Sequence, residues 1–203
     1  MWRQVNWPTW PIVCIVAGYS LWALALMRLV PGPTAYGPLT PKGNRPQYVD
    51  NGFSCFLLTL LALGLLTALT KSAWGVSPTI VYDRFDEVLM ILNLFSLAFC
   101  LLLYVKGLLA PSTSDSGSSG NVIFDYYWGT ELYPRILGFD VKVFTNCRLG
   151  MTVWGLLVAI FALKSYELHG AVDSMWVSAA LQMIYILKFF WWEAGYMCTI
   201  DIM

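Results

Sequence analysis

What most limits the fold of this chain is a series of long apolar runs with almost no charge inside them. A spanning helix needs about 20 predominantly apolar residues. The first run extends from Trp10 to Val30 and is uncharged until Arg28. It is too long and too aromatic for a signal-peptide core. The second, Gly52 to Thr70, holds no charge, and neither does the third from Val88 until Lys106. The fourth, roughly 149–164, is short, but Arg148 and Lys164 at its ends can snorkel to the headgroups. The fifth, roughly 174–197, contains Lys188 and Glu193. The expected fold is therefore all-α, a polytopic transmembrane bundle of about five spans (10–30, 52–70, 88–106, 149–164, 174–197), forming a single transmembrane domain over 1–203.

Composition agrees with a lipid-facing surface. Only 12% of the residues are charged and 58% are hydrophobic, whereas a soluble domain carries about 25% charge. Ten Trp supply rings of the kind that settle at headgroup depth. The formal net charge is zero, which argues against nucleic acid as a partner, because phosphate binding needs a basic excess. The five Cys show no CxxC pair and mostly fall in apolar runs, where they read as small packing residues. His169 is the only His. No metal site is expected.

The connections differ from one another. Residues 31–51 are rich in Pro and Gly and suit an extended segment. Residues 111–121, PSTSDSGSSGN, read as a flexible polar loop and lack the Gly-Lys-Ser/Thr of a phosphate-cradling loop. Basic residues near the spans divide into Arg3, Lys71, Arg84 and Lys164 on one side and Arg28, Lys42, Arg45, Lys106, Arg135, Lys142 and Arg148 on the other. The excess on the second side places the long 107–148 connection in the cytosol and residue 1 in the lumen.

Two regions carry candidate chemistry. In Gly120–Arg148, the charged Asp125, Glu131, Arg135, Asp140, Lys142 and Arg148 alternate with aromatic rings. This suits either an interfacial helix with weak surface ion pairs or rings packed in protein with the charges paired. In the fifth span, Lys188 and Glu193 stand five residues apart, about 140° around a helix. They do not share a face, so each needs a partner elsewhere or a place near the membrane surface. An ionisable group within a span is a functional-site hypothesis by default. Asp201 near the terminus is a further case.

Residues 120–135, GNVIFDYYWGTELYPR, resemble the signature of the membrane sterol reductases, the family of the sterol Δ14-reductases, the Δ7-reductases and the lamin B receptor. The match rests on Gly120, Ile123, Phe124, Asp125, Tyr127, Gly129, Leu132, Pro134 and Arg135. Tyr133 departs from the usual Asn. Phe139–Arg148 is similar to the family's FDxKxF stretch, and the likeness runs from about Gly37 to Met203. Asn146-Cys147-Arg148, Phe189–Tyr196 and Thr199–Ile202 resemble the Δ7 branch more closely.

The resemblance implies an endoplasmic-reticulum membrane enzyme that reduces the Δ7 double bond of a bilayer-dissolved sterol with NADPH. Δ14 reduction and a non-enzymatic, lamin B receptor-like sterol-binding anchor are the alternatives. It further implies an internal piece of a longer reductase, lacking the first helix and the cofactor-binding half and inactive alone. On this reading Glu193 and Asp201 are candidate pocket acids. Asp125, Tyr127, Gly129, Glu131, Pro134, Arg135, Asp140, Lys142, Asn146 and Arg148 are signature residues of structure or pocket, with Glu131 and Arg135 expected to pair. A transporter is a weaker alternative, since no internal repeat is visible.

Overall fold

The computed structural model describes residues 7–74 and 77–200. Its architecture follows from where the apolar runs can close their backbone hydrogen bonds without water. Among the described residues, five helices are long and apolar enough to cross a membrane: Trp10–Leu29, Gly52–Thr70, Phe85–Leu109, Val141–His169 and Ser174–Trp191. The chain is a helical polytopic bundle, as its hydropathy predicts.

Helix α1 (Trp10–Leu29) carries Pro11 in its first turn, where a missing N–H costs nothing. The chain then runs through a small antiparallel ribbon, β1 (Thr34–Tyr36) against β2 (Gln47–Val49), with Ala35 opposite Tyr48. Helix α2 (Gly52–Trp74) and a single turn, α3 (Ile80–Asp83), lead into α4 (Phe85–Leu109). Helix α4 starts three residues before the expected Val88. Asp86 and Glu87 occupy its first turn, where the helix dipole favours acids.

The long connection is shorter than its sequence suggests. It contains α5 (Val122–Trp128) and a two-residue hairpin, β3 (Arg135–Ile136) with β4 (Phe139–Asp140). Helix then begins at α6 (Val141–Val143), continues as a π-helix over Phe144–Met151, and becomes α7 (Thr152–His169). The fourth span thus starts at Val141, not near 149, and the connection ends at Asp140. The Asp140 carboxylate starts this helix by accepting from the Val143 N–H at 3.0 Å. Arg148 lies inside the helix instead of flanking it. The fifth run divides into α8 (Ser174–Trp191) and α9 (Glu193–Met197), with a break at Trp192.

Polar contacts tie the helices together at two ends. At one, Glu87 accepts from Thr9 N–H and Oγ1 at 2.8 and 2.7 Å, Lys164 pairs with Asp83 at 2.8 Å, and Glu167 accepts from Ser77 and Thr79. At the other lie both hairpins and the main core cluster, which includes Tyr48, Phe56, Val143, Cys147, Ile186, Phe190 and Met197. Phe56 and Phe190 stack at 4.8 Å. A Cβ on Gly155 would approach the Phe56 ring to 2.7 Å, so α7 comes close to α2 only because that glycine has no side chain. Long outward rows such as Leu61, Leu65, Leu69, Leu97 and Leu101 are exposed and suit contact with lipid.

Candidate functional site

The break after α8 brings the fifth run's acid back into the bundle. Glu193 is the first residue of α9 and is fully buried, and Arg148 of the π-helix is 2% exposed. Arg148 Nη1 donates to Glu193 Oε1, and Nη2 donates to Oε2 at 3.2 Å and to Asn51 Oδ1 at 2.8 Å. Asn51, the residue before α2, donates through Nδ2 to the carbonyls of Val30 at 2.7 Å and Met27 at 3.2 Å. Tyr19 of α1 donates its hydroxyl to the Arg148 carbonyl at 2.5 Å. The Arg148–Glu193–Asn51 cluster therefore joins α1, α2, the π-helix and α9.

The local sequence explains why the cluster can form. A planar guanidinium meets a carboxylate two-pronged, which a lysine cannot imitate. The α2 backbone lies against the carboxylate because residue 52 is glycine: a Cβ there would overlap both Glu193 oxygens. Arg148 Nε is buried with no partner among the described residues. Taking two charges out of water is expensive, and the pair is tolerated because Asn51 and the second prong satisfy most of what remains.

A second group of acids holds the connection. Glu131 is buried, accepting from Lys106 Nζ at 2.5 Å and from the Ser112 N–H. Arg135 does not pair with it. Its Nη2 donates to the Gln47 carbonyl of β2 at 2.6 Å, because the β3–β4 hairpin turns it toward the other ribbon. Asp115 accepts from Asn44 Nδ2 at 2.7 Å and the Tyr133 hydroxyl at 2.6 Å. Asp125 accepts from Ser118 Oγ at 2.5 Å and from the Ser119 N–H at 2.7 Å. The polar loop that the sequence marks as flexible is thus folded around two carboxylates.

The other signature residues are placed as follows. Gly129 has a φ of 77° and lies 3.2 Å from Leu103 in its would-be Cβ position, so it serves a tight turn against α4. Pro134 is fully buried, and its carbonyl accepts from the Val141 N–H at 3.0 Å. Tyr127 is exposed and meets Trp128 edge-on at 5.4 Å. Asn146 faces outward from the π-helix and is exposed. Lys142, Phe124, Asp125, Trp128, Glu131 and Leu132 are among the residues that border a cavity of about 430 Å³. Asp201 lies outside the described residues. Lys188 sits exposed in the last turn of α8, away from Glu193. Asn51 and Lys106, which complete the two buried ion-pair groups, carry no mark in the sequence beyond flanking an apolar run.

A dinucleotide's phosphates need several convergent donors. Among the described residues, Lys106 and Arg148 are spent on Glu131 and Glu193, and Lys142 shares the cavity wall with Asp125 and Glu131. These residues do not fit the phosphates of NADPH. No group of three or more His, Cys, Asp or Glu among the described residues could hold a metal ion.

The connection should respond to acid. Hydrogen bonds from Tyr133 and then Asn44 hold the Asp115 carboxyl below its usual range, and those from Ser118 and the Ser119 N–H do the same for Asp125. A carboxylate with a depressed folded-state pKa stabilises the fold above its unfolded-state value and loses that contribution as pH falls through the folded value. Hydrogen exchange, corrected for intrinsic rates, is expected to show residues 112–135 opening below about pH 4 while the spans stay protected. Protection that does not change with acid contradicts this.

A family model described as the ergosterol biosynthesis ERG4/ERG24 family matches residues 3–203. A 7-dehydrocholesterol reductase of Arabidopsis thaliana is 48% identical over 202 residues, covering 97% of this chain and 45% of the relative. A Delta(14)-sterol reductase of Methylotuvimicrobium alcaliphilum is 36% identical over 203 residues, covering 99% and 46%. A 7-dehydrocholesterol reductase of Danio rerio is 34% identical over 216 residues, covering 100% and 45%. The chain spans less than half the length of these curated relatives.

Proposed function

Because this chain belongs to the ergosterol biosynthesis ERG4/ERG24 family, we propose that the protein carrying it reduces the Δ7 double bond of a sterol, with NADPH as reductant, in the endoplasmic-reticulum membrane. The observation that carries the reading is the 48% identity, over 97% of the chain, to a relative named 7-dehydrocholesterol reductase. The multi-pass bundle supports it physically. A sterol is apolar and dissolves in the bilayer, so an enzyme that meets it there needs spans around the reacting carbons.

A carbon–carbon double bond with no electron-withdrawing group on it, as in a 5,7-diene sterol, accepts hydride poorly unless a proton is delivered first or in concert, which calls for a positioned acid. Both Glu193 oxygens are engaged by Arg148. The part we propose for Glu193 is therefore to fix the α8–α9 break and whatever follows it. Asp201, close beyond α9, keeps the role of candidate donor. We propose no phosphate contact for the described residues, and no hydride step is drawn through them.

The second reading, Δ14 reduction, rests on the 36% identity to a relative of that name. One assay separates the two. The complete protein in nanodiscs receives NADPH with equal amounts of a 5,7-diene sterol and an 8,14-diene sterol, and products are resolved by mass spectrometry. Loss of the Δ7 bond is expected. Consumption of the 8,14-diene alone replaces the proposal with Δ14 reduction, and sterol binding with no reduction of either replaces it with a scaffold.

A further inference from the structure

Three buried polar atoms lie on the two hairpins where Arg135 links them. Tyr48 of β2 is 4% exposed and Asp140 of β4 is 6% exposed. Tyr48 Oη, Asp140 Oδ2 and Arg135 Nε are each buried without a hydrogen-bond partner among the described residues. The backbone puts their residues near one another. Arg135 and Asp140 are direct partners across β3–β4, so their side chains share a face. Arg135 Nη2 reaches the Gln47 carbonyl, one residue from Tyr48. Burial raises the Tyr48 hydroxyl above its usual range, with the Asp140 charge adding to the rise and Arg135 opposing it.

Buried polar groups are almost always satisfied, by protein or by an ordered small molecule. The three atoms define what would satisfy them. Arg135 Nε–H only donates, Asp140 Oδ2 as carboxylate only accepts, and the Tyr48 hydroxyl does either. A carbonyl or an anion has no proton for Asp140. An ammonium has no lone pair for Arg135. An oxygen bearing at least one proton and a lone pair answers all three.

We propose that Tyr48, Arg135 and Asp140 form a hydroxyl-binding site, taking one O–H oxygen between the two hairpins. That oxygen comes either from solvent water or from the alcohol end of a membrane-dissolved ligand. The alcohol case rests on the sterol reading above, since a 3-hydroxysterol carries such a group at headgroup depth. The site has a route to the buried ion pair. The other oxygen of Asp140 starts the helix that becomes the π-helix bearing Arg148. What sits on Oδ2 therefore bears on how firmly that helix, and Arg148 with it, is held.

The test is a structure of the complete protein in lipid nanodiscs, at a resolution that shows ordered water, without sterol and with a 3-hydroxysterol. Density about 3 Å from all three atoms is expected. An isolated peak in both samples identifies water. Density continuous with a ring system in the second identifies the alcohol. No density in either sample overturns the site. A thermal double-mutant cycle tests it independently. Tyr48→Phe and Asp140→Asn each remove one partner of the shared oxygen while keeping shape, and Asn retains the helix cap. The double variant is expected to lower the unfolding midpoint no further than the worse single. Additive losses overturn the proposal. Failure here with Δ7 turnover intact removes the site alone, whereas loss of the sterol reading removes only the alcohol source.

Discussion

Glu193→Ala is expected to cost about 3–5 kcal/mol of stability, because it leaves the buried Arg148 charge without its counter-ion. Total stabilities of about 5–15 kcal/mol leave little margin for such a loss. The variant should lose most of its folded, monodisperse fraction in detergent and show a large drop in unfolding midpoint. Arg148→Ala should do the same from the other side, stranding a carboxylate against the α2 backbone. Glu193→Gln should fall between, since an amide oxygen still accepts from Arg148 but brings no charge. If Glu193→Ala keeps the native midpoint while sterol reduction disappears, the residue is a proton donor and not a clamp.

Gly52→Ala is the second large effect, and its sign is diagnostic. In an ordinary helix, alanine is favoured over glycine by about 1 kcal/mol. Here the added methyl would overlap the Glu193 carboxylate, which Arg148 and a fully buried setting hold in place. The carboxylate must leave its seat or α2 must move away. The expected cost is about 3 kcal/mol, near that of breaking the pair itself. Gly18→Ala in α1 and Gly64→Ala in α2 serve as controls, because nothing lies within 4 Å of either added Cβ. Those two should leave the unfolding midpoint unchanged or raise it. A Gly52→Ala protein as stable as the controls would mean that α2 does not approach Glu193.

The spans are legible in the sequence because exclusion of backbone from lipid depends on run length and charge alone, which need no knowledge of neighbours. Their ends are less so. Asp86 and Glu87 read as the edge of a loop, yet they belong to the first turn of α4, where the dipole favours them. Val141 to Arg148 reads as a connection because its charges suggest water. Asp140 and Glu193 make helix possible there by capping one end and pairing Arg148 within it. Both hairpins are too short for a period-two pattern to show. The break at Trp192 follows no Pro or Gly.

The candidate site divides along the same line. The unusual charge at Glu193 is visible at once, since an acid in an apolar run asks for a partner. Which partner is not visible, because Arg148 lies 45 positions away in sequence and Asn51 is 97 positions from Arg148. The expected pairing of Glu131 with Arg135 uses sequence proximity as its only guide. The folded loop gives Glu131 to Lys106 and turns Arg135 toward Gln47.

The most direct measurement is a double-mutant cycle on Arg148 and Glu193, read as unfolding midpoints of the complete protein in one detergent. Arg148→Met and Glu193→Leu remove the two charges singly and together, with apolar side chains in their place. If the two side chains form one buried unit, each single variant is strongly destabilised. The double variant then recovers most of the loss, because no unpaired charge remains. A double variant whose loss equals the sum of the singles would show two independent residues, and would contradict the Arg148–Glu193 clamp.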